Sequence, residues 1–461
     1  MKSKKTIYIL ITCGVLVVIA VICLALIAVT GIGVSLVWPF SKESTSTPTT
    51  AVIVTETMVP TAETNFPPEL MSSVSEIESQ VSQIRELKAT DPFNRELISE
   101  TDLEQIVKDD FFADYTDEDA RKDVIELSTL GLLPSGFNLK QLYTDLYSEQ
   151  IAGFYDDEIK TMYVVQGSGF GGSEKLTYAH EFTHVLQDQV YGFDDQLDMS
   201  EETCQADSER CAAIQALVEG DASMTEILWF QSFASQQDYQ DLMDAYDNYE
   251  SPVLDSAPPY MSADLYFPYE KGQVFVQLLY NDGGYAEVDR AFKDLPVSTE
   301  QIMHPDRYPA DTPLIVSLPD LTDLLGSGWS LYDQNVMGEW YTFLILNKSF
   351  DESWQLSESY AGTAAEGWGG DAYAFYLNEE SNQVVFVMDS AWDTQSDADE
   401  FANAFTSYAD LRWESASEKV SGLPTWVGPE GTIVLMQDGS RTVWLIAPDS
   451  TTINAILTEL P

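Results

Sequence analysis

The chain has 461 residues, of which 76 are acidic, 22 are basic and three are histidines, and its formal net charge is −54. This length exceeds one ordinary hydrophobic core, so two folded domains are expected. The charge argues against nucleic acid and against a surface lying flat on anionic lipid, because both partners require clustered Lys and Arg. It is typical of a solvated surface in a salty or extracellular medium. Calcium binding is the alternative, but no D-x-D-x-D-G loop supports it.

The N-terminus predicts a membrane anchor over residues 1–40. Lys2, Lys4 and Lys5 precede a stretch from Ile7 to Trp38 that contains no charged residue. This stretch is long enough for a spanning helix of about 20 residues and too long for the apolar core of a cleavable signal, although cleavage after residue 28 stays open. The lysines predict a single-pass protein in the cell membrane, with a cytoplasmic N-terminus and the bulk of the chain extracellular.

A stalk and a first globular domain are predicted next. Residues 41–68 are rich in Ser, Thr and Pro, a composition that cannot bury a core and favours an extended stalk. The following domain is expected over residues 69–310. Its first helices are predicted within residues 70–90 and 116–134 from apolar spacing and a capping box.

A hairpin and a long helix follow in this domain. Two β-rich runs flank an acidic turn within residues 152–165 and indicate a hairpin. A helix is expected from Glu174 to about Val190, with Ser173 as its cap and Gly192 as its end.

That helix carries the most informative motif of the chain, His180 and His184 with Glu181 between them. Positions i and i+4 lie on one face of a helix, so the two imidazoles can bind one metal ion. This H-E-x-x-H pattern is typical of zinc metallopeptidases, in which a zinc-activated water attacks a carbonyl and the glutamate is the general base. The sequence therefore predicts one Zn²⁺ per chain.

A catalytic zinc ion needs a third protein ligand. A metzincin would place a third histidine at the position of Val190, so that class is excluded. Glu219 interrupts an apolar face on a second predicted helix and is the favoured ligand, because a buried carboxylate should be paired or bound to metal. Gly220 is expected to let this helix approach the first one. Asp221 and Glu226 are alternative ligands, and Asp221 could instead support a ligand histidine.

These motifs resemble those of the gluzincins, the peptidase group of the MA clan with HExxH on one helix and a glutamate ligand on the next. The matching pieces are AHEFTHVLQDQ, ALVEGDA and FPYEKGQVFVQLLYNDGGY, the last similar to a Y-x-x-G-x-x-F helix in many such peptidases. AGFYD, STEQIMHPDRY and AAEGWGGDAYAFY also resemble segments of little-characterised, membrane-anchored bacterial and archaeal proteins that are regarded as metallopeptidases. The resemblance covers about residues 75–410.

The resemblance implies further features of the site. An edge strand beside the HExxH helix should bind extended substrate, and residues 160–165 are the candidate. A Tyr or His should stabilise the oxyanion, with His304 and Tyr308 as candidates, although His304 could equally be a capping or core residue. The chain has Ser223 where thermolysin-like peptidases have an aspartate, so another group must orient the histidine.

The remaining features concern cysteines and the C-terminal part. Cys204 and Cys211 are predicted to form a disulfide, which requires Cys204 to lie in a loop before the helix. Residues 311–461 are predicted to form a smaller α+β domain of strand pairs and two helices, without a catalytic set. The expected fold class is thus α+β, with a mostly helical, zincin-like peptidase domain containing a small sheet.

These expectations give a membrane-anchored, extracytoplasmic zinc metallopeptidase that acts on a peptide or protein substrate, with no nucleic acid as partner. The main alternative is a binding module of the cell envelope that keeps the zinc site without turnover. A third possibility is a metal-independent structural protein. Glu181 favours the enzyme, because a binding module has no need of a base beside the metal.

Overall fold

The computed structural model describes residues 11–13, 66–113, 115–167, 169–415 and 419–460. Two sheets and many helices give an α+β fold. The first sheet has the order β1-β3-β4-β2, with strands β1 (Ile11–Cys13), β2 (Asn94–Ile98), β3 (Ile151–Asp156) and β4 (Thr161–Val165). The second has the order β5-β6-β7-β11-β10-β9-β8, with strands β5 (Trp329–Asn335), β6 (Trp368–Asn378), β7 (Gln383–Trp392), β8 (Glu414–Ser415), β9 (Thr425–Gly428), β10 (Gly431–Asp438) and β11 (Arg441–Ala447).

The helices before β5 are α1 (Met71–Arg85), α2 (Glu100–Ile106, followed by a π-helical turn Val107–Phe111), α3 (Asp117–Thr129), α4 (Leu139–Gln150), α5 (Gly172–Tyr191), α6 (Glu201–Ala206), α7 (Ser208–Phe233), α8 (Gln236–Asp247), α9 (Pro252–Ser256), α10 (Pro259–Gly283), α11 (Tyr285–Ala291), α12 (Thr299–Met303) and α13 (Thr322–Leu325). Those after β5 are α14 (Gly338–Asn347), the 3₁₀ turn Glu352–Trp354, α15 (Glu358–Ala365), α16 (Gln395–Arg412) and α17 (Ser450–Glu459).

The small sheet confirms the predicted hairpin but not the predicted edge strand. Strands β3 and β4 pair antiparallel, and β4 also pairs parallel with β2, so β4 lies inside the sheet. Strand β3 packs against α5. The contact is close, since a Cβ added at Gly153 would lie 3.2 Å from Cγ of Glu181. The pairing with β2 joins residues far apart in the chain, which local strand patterns do not reveal.

Helix α5 matches the predicted HExxH helix with small differences at its start. It begins at Gly172, and the carboxylate of Glu174 accepts a hydrogen bond from the Gly171 N–H at 2.9 Å, so Ser173 lies inside the first turn rather than at the cap. Gly192 ends the helix with a positive φ of 63°. Nearly the whole helix is buried, which gives its side chains fixed positions.

Helices α7 and α10 touch through their backbones. A Cβ added at Gly272 would lie 2.0 Å from the carbonyl oxygen of Ala216, and one at Gly220 would lie 2.2 Å from that of Gly272. The expectation that Gly220 brings α7 against the HExxH helix was therefore wrong about the partner, which is α10. This contact requires glycine at both positions, because any side chain would push the helices apart.

The predicted disulfide joins Cys204 and Cys211 with their Cα atoms 5.4 Å apart. Cys204 lies on the short helix α6 rather than in a loop. The two helices are separate because the chain leaves helical geometry at Asp207, which caps α7 by accepting a hydrogen bond from Arg210 N. This break brings the two cysteines within bridging distance.

The C-terminal sheet confirms its predicted strand pairs and helices. Strands β10 and β11 pair across Asp438 and Gly439, as the turn residues predicted, and α16 and α17 match the two expected helices. Strands β5, β8 and β9 were not predicted. The GWGGD segment begins β6, where Asp371 accepts hydrogen bonds from the backbone N–H groups of Met337 and Gly338 at the start of α14.

One hydrophobic cluster crosses the boundary that the sequence suggested at residue 310. It contains Val74 and Phe182 from the first part and Trp368 and Phe405 from the second. Phe66 is also buried in this cluster, so the folded part includes residue 66, which the sequence had placed in the stalk. A second, smaller cluster lies between the C-terminal sheet and α17.

Most of the predicted anchor and stalk lies outside the described residues. Residues 11–13 of the predicted anchor form β1, which pairs antiparallel with β3. Among the described residues, no helix combines the length and the apolar character that a membrane span requires.

Candidate metal centre

Two helices bring three buried side chains to one point. His180 and His184 lie one turn apart on α5, and Glu219 faces them from α7. The Nε2 atom of His180 lies 3.1 Å from Oε2 of Glu219, and the Nε2 atom of His184 lies 3.4 Å from the same oxygen. These three ligand atoms could hold one metal ion, and all three side chains are fully buried.

The far side of each imidazole ring faces a different group. Nδ1 of His180 lies 3.2 Å from Oε2 of Glu226, which is about two turns beyond Glu219 on α7. Nδ1 of His184 lies 2.8 Å from Oε1 of Gln187. An amide oxygen accepts only a donated N–H, so this contact assigns the proton to Nδ1 and leaves the Nε2 lone pair for a metal ion.

A chain of hydrogen bonds holds Gln187 in place. Its amide nitrogen donates to the Val218 carbonyl oxygen at 3.0 Å and to Oδ2 of Asp221 at 2.9 Å. Asp221 in turn accepts from Nε of the fully buried Arg85 at 2.8 Å. Asp221 is thus not a ligand of the cluster but supports His184 through Gln187, the second of the two roles that the sequence left open.

Glu181 points into the same buried region. Neither of its carboxylate oxygens has a hydrogen-bond partner among the described residues, and the side chain is fully buried. Burial raises the pKa of Glu181 well above its ordinary value. A carboxylate of this kind, next to two imidazoles, is suited to accept a proton.

The electrostatics of the cluster favour a positive charge between its carboxylates. Burial lowers the pKa of His180, but Glu226 and Glu219 outweigh burial and raise it to about 10. Burial raises the pKa of Glu219, and His184 and His180 together bring it below its ordinary value. The carboxylates therefore stabilise a cation at this point, whether a proton on an imidazole or a metal ion.

The donor atoms also fit a metal ion. Nε2 of His184 and Oε1 of Glu219 are buried without a hydrogen-bond partner among the described residues. Leaving buried polar atoms unpaired is costly, and a bound cation would pair them. Two imidazole nitrogens and one carboxylate oxygen form a ligand set that suits zinc.

His304 and Tyr308 take other partners. Nε2 of His304 lies 2.8 Å from Oε1 of Glu339 on α14, and the Tyr308 hydroxyl donates to the Asp294 carbonyl oxygen. The loop after α12 packs against the C-terminal part, so local sequence gave no guide to its position. These contacts favour the structural alternative for His304, and they tie Tyr308 to the loop before α12.

Tyr269 is an aromatic neighbour of His180 that the sequence motifs did not predict. Its ring lies 6.3 Å from the ring of His180, measured between centroids, and its side chain is buried. It sits on α10, which contacts α7 backbone to backbone. The segment FPYEKGQVF contains Tyr269 as the tyrosine of its Y-x-x-G pattern, and this pattern could have identified the residue.

A second group of carboxylates already contacts a cationic side chain. Glu300, Asp311 and Asp393 lie close enough to share a cation. The guanidinium of Arg307 contacts all three, at 2.6, 3.3 and 2.8 Å. Through Arg307, this group joins α12 to the C-terminal part.

Comparison with known proteins gives one family match, to a domain of unknown function (DUF8575), over residues 330–457. This match covers the C-terminal sheet from β5 to α17 and does not reach the candidate metal centre. No curated protein and no solved structure matches the chain.

Proposed function

We propose that this protein is a membrane-anchored, extracytoplasmic zinc metallopeptidase of the gluzincin type that hydrolyses peptide bonds in peptides or proteins. The observation that carries the proposal is the convergence of His180, His184 and Glu219 beside the buried, unpaired carboxylate of Glu181. One Zn²⁺ per chain would be held by the two Nε2 atoms and the Glu219 carboxylate, and one coordination position would stay open. The location rests on the N-terminal sequence alone.

Each group at the centre would have a different role in the proposed reaction. A bound zinc ion would act as a Lewis acid toward the carbonyl and lower the pKa of water. Glu181 accepts the proton of the attacking water and returns it to the leaving amine. Tyr269 is the candidate to donate a hydrogen bond to the carbonyl oxygen as negative charge develops there.

Strand β3 is the element best placed to hold the substrate backbone. It runs beside Glu181, and its outer edge pairs antiparallel with residues 11–13 of this same chain. A substrate peptide would have to take the place of residues 11–13 to use the backbone hydrogen bonds of this edge. The role expected for residues 160–165 is therefore reassigned to β3.

A catalytically inactive, zinc-containing binding module is the alternative. The unpaired Glu181 argues for turnover, since metal binding alone does not require it. The test uses the full chain purified in detergent, with metal analysis and a broad peptide library. One zinc per chain, most of it lost in His184→Ala, together with peptide cleavage supports the peptidase. Zinc without cleavage supports the binding module, and equal zinc in both proteins contradicts the assigned site.

A further inference from the structure

A cleft lined by tyrosines runs alongside α7 close to the metal centre. A cavity of about 350 Å³ includes Tyr143, Tyr260 and Tyr341 among its lining residues, and at one end it reaches Tyr269, the neighbour of His180. A second cavity of about 220 Å³ shares Tyr143, Tyr341 and three further lining residues with the first. The two cavities therefore adjoin, and together they are named the acidic cleft here.

Helix α7 provides a scale for the length of the cleft. Gln215, Ala212 and Ser208 line it, and the candidate ligand Glu219 lies further along the same helix. At about 1.5 Å per residue, Gln215 is about 6 Å and Ser208 about 16 Å from Glu219 along the axis. The cleft thus begins one turn from the metal centre and extends over the length of several substrate residues.

The charge of the acidic cleft has one sign. Its lining includes the carboxylates Asp264, Asp123, Glu126 and Glu209, and among the described residues that line it there is no Lys, Arg or His. Aromatic side chains alternate with these carboxylates, and aromatic faces also attract cations.

The carboxylates of the cleft differ from other buried carboxylates of the chain. Asp188 is paired with Lys160 and Asp389 with Arg441. In the cleft, by contrast, neutral hydrogen-bond donors contact the carboxylates in place of Lys or Arg. Asp264 accepts from Nε1 of Trp340 at 2.9 Å and from the Tyr341 hydroxyl at 2.7 Å.

The outer pair of carboxylates follows the same pattern. Asp123 accepts from the Tyr115 hydroxyl, and Glu126 accepts from the Tyr373 hydroxyl at 3.2 Å. Burial, followed by the nearby charge of Asp333, raises the pKa of Glu126 well above its ordinary value, and burial raises the pKa of Asp333. Like charges held together in a half-buried cleft would be stabilised by a cation from outside.

Tyr260 gives an independent indication of a ligand. Its side chain is only 3% exposed and lines the larger cavity, yet its hydroxyl makes no hydrogen bond of good geometry among the described residues, with the Tyr143 hydroxyl as its nearest polar neighbour. A buried hydroxyl without a partner is costly, so a polar group of a bound molecule is expected there.

From these observations we infer that the acidic cleft selects substrates with a basic side chain, Lys or Arg, near the scissile bond. This inference rests on the proposed peptidase function and adds the substrate class. A guanidinium or ammonium group would pair with Asp264 or with the outer carboxylates Asp123 and Glu126, while its aliphatic stem packs on the tyrosine rings.

A free α-ammonium group is the other source of the same charge. In an exopeptidase this group lies within one residue, about 3.4 Å, of the scissile bond. The outer carboxylates share their cavity with Ser208 and Ala212, roughly 10 to 16 Å along α7 from Glu219, which is too far for that group. A basic side chain can bridge more of this distance, so the geometry favours it.

The test compares matched peptides with the zinc-loaded full chain in detergent. The peptides differ at one position, which carries Arg, citrulline or Glu, and each is made with a free and with an acetylated N-terminus. Arg should raise kcat/KM over citrulline about 10- to 100-fold at one or two positions, with or without acetylation. Equal rates for Arg and citrulline would overturn the inference and leave the proposed function intact.

The other outcomes are equally distinct. A requirement for the free N-terminus would assign the cleft to the α-ammonium group and overturn the inference. Absence of all cleavage would overturn the proposed function, and the inference with it.

Variants of single cleft carboxylates then test which residues cause the preference for Arg over citrulline. Glu126→Gln and Asp264→Asn should lower the ratio of Arg over citrulline about 10-fold or more. Asp323→Asn, at an exposed carboxylate on α13, removes the same charge outside the cleft and should keep the ratio. Zinc content and melting temperature identify a misfolded variant, and the wild-type comparison tests the inference where a variant does not fold. An unchanged ratio in both folded cleft variants would contradict it.

Discussion

At the scale of single residues, the orientation of the two imidazole rings depends on the groups that contact their Nδ1 atoms. Arg85, Asp221 and Gln187 form a buried chain that ends on Nδ1 of His184. Groups that orient metal-binding histidines typically contribute 10- to 100-fold to metal affinity.

Gln187→Ala should therefore weaken zinc binding about 10- to 100-fold without removing a ligand. Gln189→Ala is the matched control, because Gln189 lies on the same helix and accepts hydrogen bonds from the backbone of Thr90 and Asp91 instead. Competition with a chelator of known affinity measures both variants. Equal zinc affinity in Gln187→Ala and wild type would show that the amide does not orient His184.

Removal of the metal should also lower stability. The zinc-free site leaves the ligand atoms Nε2 of His184 and Oε1 of Glu219 buried without partners. A ligand that binds only the folded state stabilises it by about 4 kcal/mol at a thousand-fold excess over Kd. EDTA should therefore lower the melting temperature of wild type, and added Zn²⁺ should restore it. The same treatment should change Glu219→Gln much less, and an equal response of both proteins would contradict the assigned ligand.

The sequence predicted the residues whose relation is local. His180, Glu181 and His184 follow from helical spacing, and Glu219 follows from a charge on an apolar face. Arg85 and Asp221 are 136 residues apart in the chain, so no local pattern predicts their contact. Tyr269 was within a quoted motif, but only the packing of α10 brings it next to His180.

At the scale of elements, the close contact of α7 and α10 sets the distance between Glu219 and Tyr269. Gly272→Ala would place a methyl group 2.0 Å from the Ala216 carbonyl oxygen. This oxygen belongs to the backbone of a helix, so it cannot move away as the end of a flexible side chain could. The variant should lose about 1–3 kcal/mol of unfolding free energy despite the better helix propensity of alanine.

Gly362→Ala is the control for this prediction. It lies on α15, and nothing lies within 4 Å of the added Cβ. Chemical denaturation should show no loss for Gly362→Ala, and a gain of up to about 1 kcal/mol from helix propensity. Equal stability of Gly272→Ala and wild type would show that the two helices separate without cost.

Elements whose partners are adjacent in the chain were predicted well, and those with distant partners were not. The hairpin of β3 and β4 and that of β10 and β11 were both confirmed. The role of β4 as an edge strand was wrong because β2 pairs with it across 67 residues. Strands β8 and β9 were missed because a two-residue and a four-residue strand carry little periodicity.

At the scale of the whole molecule, the two predicted domains share one core. The C-terminal helix α16 donates from Arg412 to the carbonyl oxygens of Ser128 and Thr129 at the end of α3. Tyr408 donates to the next carbonyl oxygen, that of Leu130. We therefore expect the boundary at residue 310 to be a change of architecture rather than the limit of a folding unit.

A fragment of residues 66–310 should consequently fail to fold on its own, because it exposes the face that the C-terminal part covers. Residues 66–461 should unfold in a single cooperative transition. Calorimetry and circular dichroism of both fragments test this prediction. A shorter fragment that melts cooperatively at the temperature of the longer one would establish two independent domains.

The central claim, that Glu181 is the base of a zinc peptidase, is tested most directly by zinc content and cleavage rate of wild type, Glu181→Gln and Glu219→Gln. Glu181→Gln keeps the shape of the side chain and all three metal ligands. It should retain near-normal zinc and lose about 10²–10⁴-fold in cleavage rate. Glu219→Gln should lose zinc itself. Cleavage that survives unchanged in Glu181→Gln, or a wild type that binds zinc and cleaves nothing, would contradict the account.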